Sequence, residues 1–325
     1  MSTDTVESTH KAPIIYWVVP CYNEEDMLPL TARILTPKIN SLMASGLVSP
    51  TSRVLFVDDG SKDATWSVIS ILHESDPVLY GGVKLAHNRG HQNALLAGLM
   101  TAKEAGCDAA ISLDADLQDD INVMDDFIRL YMEGNEIVYG VRSSRQTDTA
   151  FKRWTAELFY ALFRLFDADT IPDHADYRLM GAQALDALSE YTEVNLFLRG
   201  MVPDLGFKTE KVYYKRGVRE AGESKYPLKK MISFALQGIT SFSTKPLNFV
   251  TWAGWMSIIF SIGMYIYASI SVLTSHAIWG WSSLICSIWF IGGLIMVSLG
   301  IVGEYIGKIY LETKRRPRYR VEQKL

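Results

Sequence analysis

Two aspartates one residue apart, Asp114 and Asp116, close the apolar run Ile111-Ser112-Leu113. A short apolar run ending on two carboxylates reads as a buried strand that opens into an acidic loop. Carboxylates so placed repel each other and are costly to leave uncompensated. A hard divalent cation relieves the repulsion, because Mg2+ and Mn2+ prefer carboxylate oxygen. Such a cation can in turn hold a diphosphate. In isolation Asp-x-Asp is a common tripeptide, and a solvated acidic turn is its simpler reading. The rest of the chain has to choose between the two.

Other candidate residues fall at the same kind of position. Ile14 to Pro20 reads as a buried strand and ends at Pro20-Cys21-Tyr22-Asn23-Glu24-Glu25, with a helix expected through Leu28 to Ile39. Arg53 to Val57 reads as a second strand, ending at Asp58-Asp59-Gly60-Ser61 before a helix near Asp63. A short strand over Gly82 to Ala86 and a helix over Asn93 to Lys103 follow. Ala109 to Leu113 feeds Asp114, and Ile137 to Val141 ends at Arg142. Alternating strands and helices imply an α/β fold with a doubly wound, mostly parallel sheet. Ligands bind such sheets beyond the carboxyl ends of the strands. Tyr22, Glu24, Asp59, Asp116 and Arg142 therefore converge on one crevice. No Gly-x-Gly-x-x-Gly follows the first strand and no P-loop signature is present, which disfavours a dinucleotide dehydrogenase and a P-loop NTPase.

The chain has 325 residues, a net charge of −4 and 21% charged residues. That average hides an asymmetry, since Pro246 to Gly303 contains no Asp, Glu, Lys or Arg. The stretch divides into Leu247–Leu273 and Trp279–Gly303, each longer than the roughly 20 residues that cross a bilayer core. Thr274, Ser275 and His276 sit in the turn, so a two-helix transmembrane hairpin is expected. Lys229, Lys230 and Lys245 precede it, and Lys308, Lys314, Arg315, Arg316, Arg318 and Arg320 follow it. With no Lys or Arg in the turn, the positive-inside rule puts both ends in the cytoplasm. Trp252, Trp255, Trp279 and Trp281 lie near span ends, as interfacial anchors do. Leu228, Met231, Ile232, Ala235, Leu236 and Ile239 recur at helical spacing and read as an interfacial amphipathic helix. The expected organisation is a frayed segment over 1–12, a catalytic domain over 13–226 and a juxtamembrane region over 227–246. Spans over 247–273 and 279–303 and a basic cytoplasmic tail over 304–325 complete it. The first dozen residues lack the apolar core of a signal peptide. Cys21, Cys107 and Cys286 have no metal or disulfide spacing and fit a reducing compartment.

Five motifs occur in order: Val19-Pro20-Cys21-Tyr22-Asn23-Glu24-Glu25, Val57-Asp58-Asp59-Gly60-Ser61, Asn88-Arg89-Gly90, Asp114-Ala115-Asp116-Leu117-Gln118 and Gly222-Glu223-Ser224-Lys225. Together they resemble glycosyltransferase family 2, with its GT-A (Rossmann-like) fold. The chain is most similar there to the polyprenyl-phosphate glycosyltransferases, a group that includes bactoprenol glucosyltransferases and dolichyl-phosphate mannose synthases. The run Asp176-Tyr177-Arg178-Leu179-Met180, Gly303-Glu304-Tyr305 and the two-span tail favour the bactoprenol type. The resemblance implies that Pro20, Tyr22 and Glu24 form the first nucleotide loop, that Asp59 reads the base, and that Val57 contributes backbone there. It implies that Asp114, Asp116 and Gln118 form the metal and diphosphate group, with Mg2+ or Mn2+, that Asp114 and Ala115 also bind the nucleotide sugar, and that Asp116 is catalytic. Arg142, Arg178, Arg219 and Lys225 match its phosphate-binding cations, and Arg145 sits close enough to Arg142 to join them. Asp176 is implied as the base; orienting the acceptor or Arg178 is its other reading.

The function so implied is inverting transfer of a sugar, glucose from UDP-glucose by preference, to undecaprenyl phosphate at the cytoplasmic face of a bacterial inner membrane. UDP-N-acetylglucosamine, UDP-galactose and GDP-mannose remain alternative donors. Membrane lipids are partners, nucleic acid is not, and a homo-oligomer is left open. A polysaccharide synthase of the same superfamily usually carries Gln-x-x-Arg-Trp and more spans, which this chain lacks. A non-catalytic membrane scaffold is the reading from another class. Gly181 stands where close relatives often carry Asp, and Tyr177 where many carry Phe; either is expected to adjust acceptor or sugar fit. His87 and His91, four residues apart with no third ligand, are discounted as a zinc site. Asp119, Asp120, Asp125 and Asp126 read as capping and solvating the next helix. The basic run Lys314 to Arg320 follows a span and so reads as a headgroup contact.

Overall fold

The computed structural model describes residues 11–116, 118–143, 174–194, 196–215 and 281–325, with parts of 247–266. The first half alternates as expected: β1 (Ile15–Cys21), α1 (Leu28–Ala44), β2 (Arg53–Asp58), α2 (Thr65–Ser75), β3 (Tyr80–Leu85), α3 (His91–Glu104) and β4 (Ala109–Ser112). Then come α4 (Met124–Met132), β5 (Ile137–Arg142), β6 (His174–Gly181), α5 (Ala182–Glu190), α6 (Leu198–Asp204), β7 (Thr209–Tyr214), α7 (Trp281–Lys314) and β8 (Val321–Lys324).

The eight strands form one sheet in the order β7-β5-β6-β4-β1-β2-β3-β8. β1 pairs in parallel with β2 on one side and β4 on the other, and β2 pairs in parallel with β3. β6 runs antiparallel between β4 and β5, β7 is parallel to β5, and β8 is antiparallel to β3. The sheet is thus mostly parallel, a mixed GT-A-like arrangement with two reversed strands. The chain leaves β1 toward β3 and then returns to β4 on the other flank. That reversal opens a crevice beyond the carboxyl ends of β1 and β4.

Strand periodicity sorts β1 between two cores. Ile15, Trp17, Val19 and Cys21 face one, with Leu28, Leu35 and Ile39 of α1; Tyr16 and Val18 face the other, with Leu95 and Leu99 of α3. Every residue of β1 is buried, which is why the central strands read as continuous apolar runs. Gly60, after β2, has φ 65°, and a Cβ there would lie 2.6 Å from the His87 backbone. Only glycine lets the β2–α2 loop approach the β3–α3 loop so closely.

The far end of the chain departs from expectation. α7 continues past Gly303 to Lys314. Glu304 and Lys308, four residues apart, and the helix formers Leu311, Glu312 and Lys314 sustain it. Its segment Phe290–Lys314, with mean hydropathy 1.7, is long and apolar enough to cross a membrane. The described residues between 247 and 266 are helical; the rest of the expected first span, its turn and the expected interfacial helix lie outside the described residues. The tail ends in a strand that was not expected. β8 covers the β3 edge, and the Leu325 N–H reaches the Gly82 carbonyl at 2.8 Å. Pairing that edge removes a row of open backbone groups.

Gly181 is the N-cap of α5 and pairs with Ala109, at the start of β4. Asp114 lies roughly 16 Å farther along at strand spacing. The departure at 181 therefore falls at a helix end. Gly181 offers no capping side chain, and Glu136 Oε1 accepts the Ala184 N–H at 3.1 Å instead. A Cβ on Gly181 would come within 2.3 Å of that same oxygen. Glu136→Ala is expected to cost about 1 kcal/mol, the usual worth of a cap. Gly181→Asp alone should lower the thermal midpoint through its clashes with Glu136 and the Tyr131 ring, and Gly181→Asp in the Glu136→Ala background should recover only part of the loss, because Tyr131 remains 2.7 Å from the added Cβ. Thermal unfolding of the three variants checks this.

Candidate active site

The first two loops of the crevice are laced to each other. Asn23 adopts φ 53°, a conformation asparagine tolerates. In it, the Asn23 N–H donates to Ser61 Oγ at 2.9 Å, and its side-chain oxygen accepts the Lys62 N–H at 3.0 Å. The Glu24 N–H donates to Thr65 Oγ1 at 2.9 Å, and Glu25 Oε2 accepts the Ala64 N–H at 2.8 Å. Tyr22 is exposed at the rim of this double loop, whereas Pro20 and Val57 are buried at the ends of β1 and β2, in register with each other. Val57 can contribute only backbone.

Asp59 is 2% exposed and receives the Arg89 N–H at 2.7 Å and the Gly90 N–H at 2.8 Å. Burial raises its pKa, and the two N–H groups oppose that rise. Each oxygen keeps a second lone pair for a ligand. The carboxylate also fixes the β3–α3 loop, a task not evident in its motif. That loop delivers His91 as the first residue of α3.

His91 Nε2 lies 3.6 Å from Asp114 Oδ1 and 3.7 Å from Asp176 Oδ2. Asp114 is pushed above the usual carboxylate range, chiefly by burial, with the charges of Asp176, Asp119 and Asp116 adding and His91 opposing. Asp116 turns back on its own loop, its Oδ1 accepting the Gln118 N–H at 3.2 Å. Gln118 is 9% exposed.

Asp176 and Arg178 project from β6. Arg178 is 1% exposed, and its Nη2 donates to Asp176 Oδ1 at 2.8 Å. Arg199, from α6, donates through Nε to Asp176 Oδ1 at 3.2 Å and through Nη2 to Oδ2 at 3.0 Å. Burial alone would raise the Asp176 pKa; Arg199 and Arg178 outweigh it and hold the carboxyl well below the usual range. The start of α6 is itself held by Gln92, whose Oε1 accepts the Leu198 N–H at 3.0 Å.

Arg142, at the end of β5, pairs with Asp119 at 3.1 Å. Tyr214 donates to the same Asp119 oxygen at 2.6 Å. Asp119 is 7% exposed and so is no solvated helix residue, in correction of the sequence-based expectation: it neutralises a cation of the crevice. Its neighbours act as expected. Asp120 accepts the Asn122 N–H at 2.9 Å, and Asp125 and Asp126 occupy the first turn of α4. Tyr177 is 1% exposed, packs on Phe127 and Tyr214, and donates to the Asp120 carbonyl at 3.2 Å. A Phe there would forfeit that bond, so Tyr177 supports the acidic loop from beneath. Among the described residues, Arg142 Nε is buried without a hydrogen-bond partner.

The structure thus gathers Asp114, Asp116, Asp176, Arg142 and Arg178 of the expected residues, beside the Tyr22, Glu24 and Asp59 loops. Arg145, Arg219 and Lys225 lie outside the described residues. His91, Gln92, Asp119 and Arg199 were missed. His91 directly follows Asn88-Arg89-Gly90, which was signal enough; Arg199 belongs to none of the motifs.

Removing one partner from a buried ion pair leaves the other uncompensated. Asp176→Asn is expected to destabilise the protein by about 3 kcal/mol or more, because buried Arg178 loses its counter-charge. A urea unfolding midpoint equal to that of the wild type would contradict the structural role of this carboxylate.

Residues 16–188 match the model of the family described as Glycosyl transferase family 2. The chain is 51% identical over 310 residues to the uncharacterized glycosyltransferase YkoT of Bacillus subtilis (strain 168), covering 95% of this chain and 91% of that protein. It is 38% identical over 309 residues to the prophage bactoprenol glucosyl transferase homolog of Escherichia coli (strain K12), covering 94% and 97%. It is 37% identical over 310 residues to the bactoprenol glucosyl transferase of Shigella phage SfX, covering 94% and 98%. With its ordered loops, its acidic crevice and relatives alike along nearly their whole length, the chain is a glycosyltransferase and belongs to glycosyltransferase family 2.

Proposed function

We propose that this glycosyltransferase moves glucose from UDP-glucose to undecaprenyl phosphate, yielding a lipid-linked sugar for cell-envelope glycosylation. The observation that carries this reading is the crevice at the β1/β4 reversal. It brings the Asp114–Asp116 pair together with the guanidinium groups of Arg142, Arg178 and Arg199. The relatives named bactoprenol glucosyl transferases, alike over 94% of this chain, support the choice of acceptor and sugar.

In this reading Tyr22, Glu24 and the Pro20 and Val57 backbone hold the nucleoside, and Asp59 offers its remaining lone pairs to a base N–H. Among the described residues no three His, Cys, Asp or Glu side chains are grouped to cage a metal. Two carboxylates one residue apart on the acidic loop nonetheless fit Mg2+ or Mn2+, which commonly bind through one or two carboxylates plus substrate phosphate. Asp114 and Asp116 would hold the ion, with Gln118 nearby. Bound there, the metal supplies Lewis-acid stabilisation of the departing diphosphate.

The acceptor needs little activation. A phosphate monoester has a second pKa of about 6 and is largely a dianion at neutral pH. Asp176, pinned by two guanidinium groups below the usual carboxylate range, is poorly suited to take a proton. We therefore assign it to orienting Arg199 and Arg178, in preference to the base role that the family resemblance implies. Arg142, with its unused Nε, and Arg145, Arg219 and Lys225 would receive phosphate oxygens. Attack opposite the leaving group gives an inverted, β-linked product from an α-linked donor.

The spans 247–273 and 279–303, the juxtamembrane helix and the basic tail would hold this crevice at the cytoplasmic headgroup plane. Burial is worth about 0.8 kcal/mol per CH2, so the polyprenyl chain stays in the bilayer and the enzyme has to come to it. Exposed apolar residues along α7, such as Phe290 and Met296, fit lipid contact.

The purified full-length protein, given undecaprenyl phosphate, Mg2+ or Mn2+ and a panel of UDP- and GDP-sugars, should yield undecaprenyl phosphate–glucose by mass spectrometry. EDTA should abolish the product and added metal restore it. Product from another nucleotide sugar alone would reassign the donor. A folded protein that makes product from none would favour a membrane scaffold.

A further inference from the structure

Thr31 lies on α1 with no exposed surface. Its Oγ1 contacts two carbonyl oxygens. One, Met27 at 2.9 Å, is the back-bond that Thr commonly makes within a helix. The other, at 2.6 Å, is the carbonyl of Ala115, 84 residues away and between the two carboxylates of the acidic loop. A hydroxyl has one proton to donate, and the shorter contact is to Ala115.

The Ala115 peptide is held from its other side as well. Ala115 is 5% exposed and belongs to the core that contains Leu28, Leu35, Leu113 and Met124. Upstream, the Leu113 N–H is fixed to the Val18 carbonyl at 3.1 Å. Downstream, the loop closes through Asp116 and Gln118. The methyl group of Ala115 is set by packing and its carbonyl by one hydroxyl. If that carbonyl rotates to find another donor, the Cα–Cβ directions of Asp114 and Asp116 rotate with it. α1 also follows the loop that carries Tyr22 and Glu24, so the same hydroxyl joins the nucleotide loop to the acidic loop.

We propose that Thr31 is a positioning residue of this site: its hydroxyl holds the Ala115 carbonyl so that Asp114 and Asp116 face one divalent cation together. This rests on the metal reading of those two aspartates. Groups that orient metal ligands without touching the metal are commonly worth 10- to 100-fold in affinity.

The test uses full-length protein in detergent, with Mn2+ and UDP as the probe and free Mn2+ followed by electron paramagnetic resonance. Thr31→Val keeps the shape and removes the donor; Thr31→Ser keeps the donor and removes a methyl. Thr31→Val should weaken Mn2+ binding about 10-fold or more, whereas Thr31→Ser should stay within about twofold of the wild type. Where Thr31→Val does not fold, Thr31→Cys replaces it: similar in size to Ser but a weak donor, it should lose affinity where Ser does not. Equal Mn2+ affinity in folded Thr31→Val and wild type overturns the proposal, as do equal losses in the Ser variant and the Val or Cys variant. Asp116→Asn separates the two ideas. If it binds Mn2+ as well as the wild type does, or if the wild type binds none, the metal reading fails and takes the role of Thr31 with it.

Discussion

Like charge at short range is the constraint on which this crevice depends. Asp114, Asp116, Asp119 and Asp176 interact closely: burial raises the pKa of Asp114 most, and the other three carboxylates add to the rise. Such a group collapses toward protonation unless opposite charge is built around it. The fold supplies it from three elements: Arg142 from the end of β5, Arg178 from within β6 and Arg199 from α6, with the His91 ring at the start of α3 beside them. Other residues position these groups. Gln92 holds the start of α6, Asp59 holds the loop that presents His91, and Tyr214 shares Asp119 with Arg142.

These cations can meet because of strand order. β4 lies beside β1 only because the chain reverses after β3, and β6 then enters antiparallel against β4. An antiparallel strand brings Asp176 and Arg178 alongside the end of β4, where the Ser112 hydroxyl donates to the Asp176 carbonyl. A purely parallel sheet would present a loop there, with less rigid side chains. The reversed strand thus turns a parallel sheet into one whose acidic end is charge-compensated from within.

The same reasoning explains what the sequence disclosed. β1, β2 and β4 are buried on both faces, so each is an unbroken apolar run whose end is obvious, and the acidic and Tyr22 loops followed from those ends. β6 broke the rule because Asp176 and Arg178 sit inside it, Arg178 buried and Asp176 largely so but both polar, and their placement rests on partners elsewhere in the chain. Arg199 was illegible for the same reason: it is 23 residues from Asp176, and only the tertiary fold makes them a pair. β8 hid because an edge strand needs no continuous apolar pattern; most of Val321–Lys324 is exposed, and backbone pairing to β3 holds it. Asp119 was misread because its run, Asp119-Asp120, looks like a cap, and only Asp120 is one.

Without substrates, the acidic end of the crevice sets Asp114, Asp116, Asp119 and Asp176 against three guanidinium groups, with His91 beside them. Under the proposed function a donor diphosphate and an acceptor phosphate both enter, bringing about four further negative charges. Arg178 and Arg199 are already engaged with Asp176, so they cannot offset that influx alone. The deficit has to be met by added cations. A divalent ion on Asp114 and Asp116 answers the diphosphate. The basic residues Arg145, Arg219 and Lys225 are the chain's own reserve for the acceptor. An acceptor that arrives as a dianion is drawn in by such a field and needs no proton removed, which leaves Asp176 free to serve as a fixed counter-charge. A sugar hydroxyl acceptor would bring no charge and would need a base. Under the proposed function, a crevice whose Asp176 carboxylate is clasped by two arginines suits a phosphate acceptor.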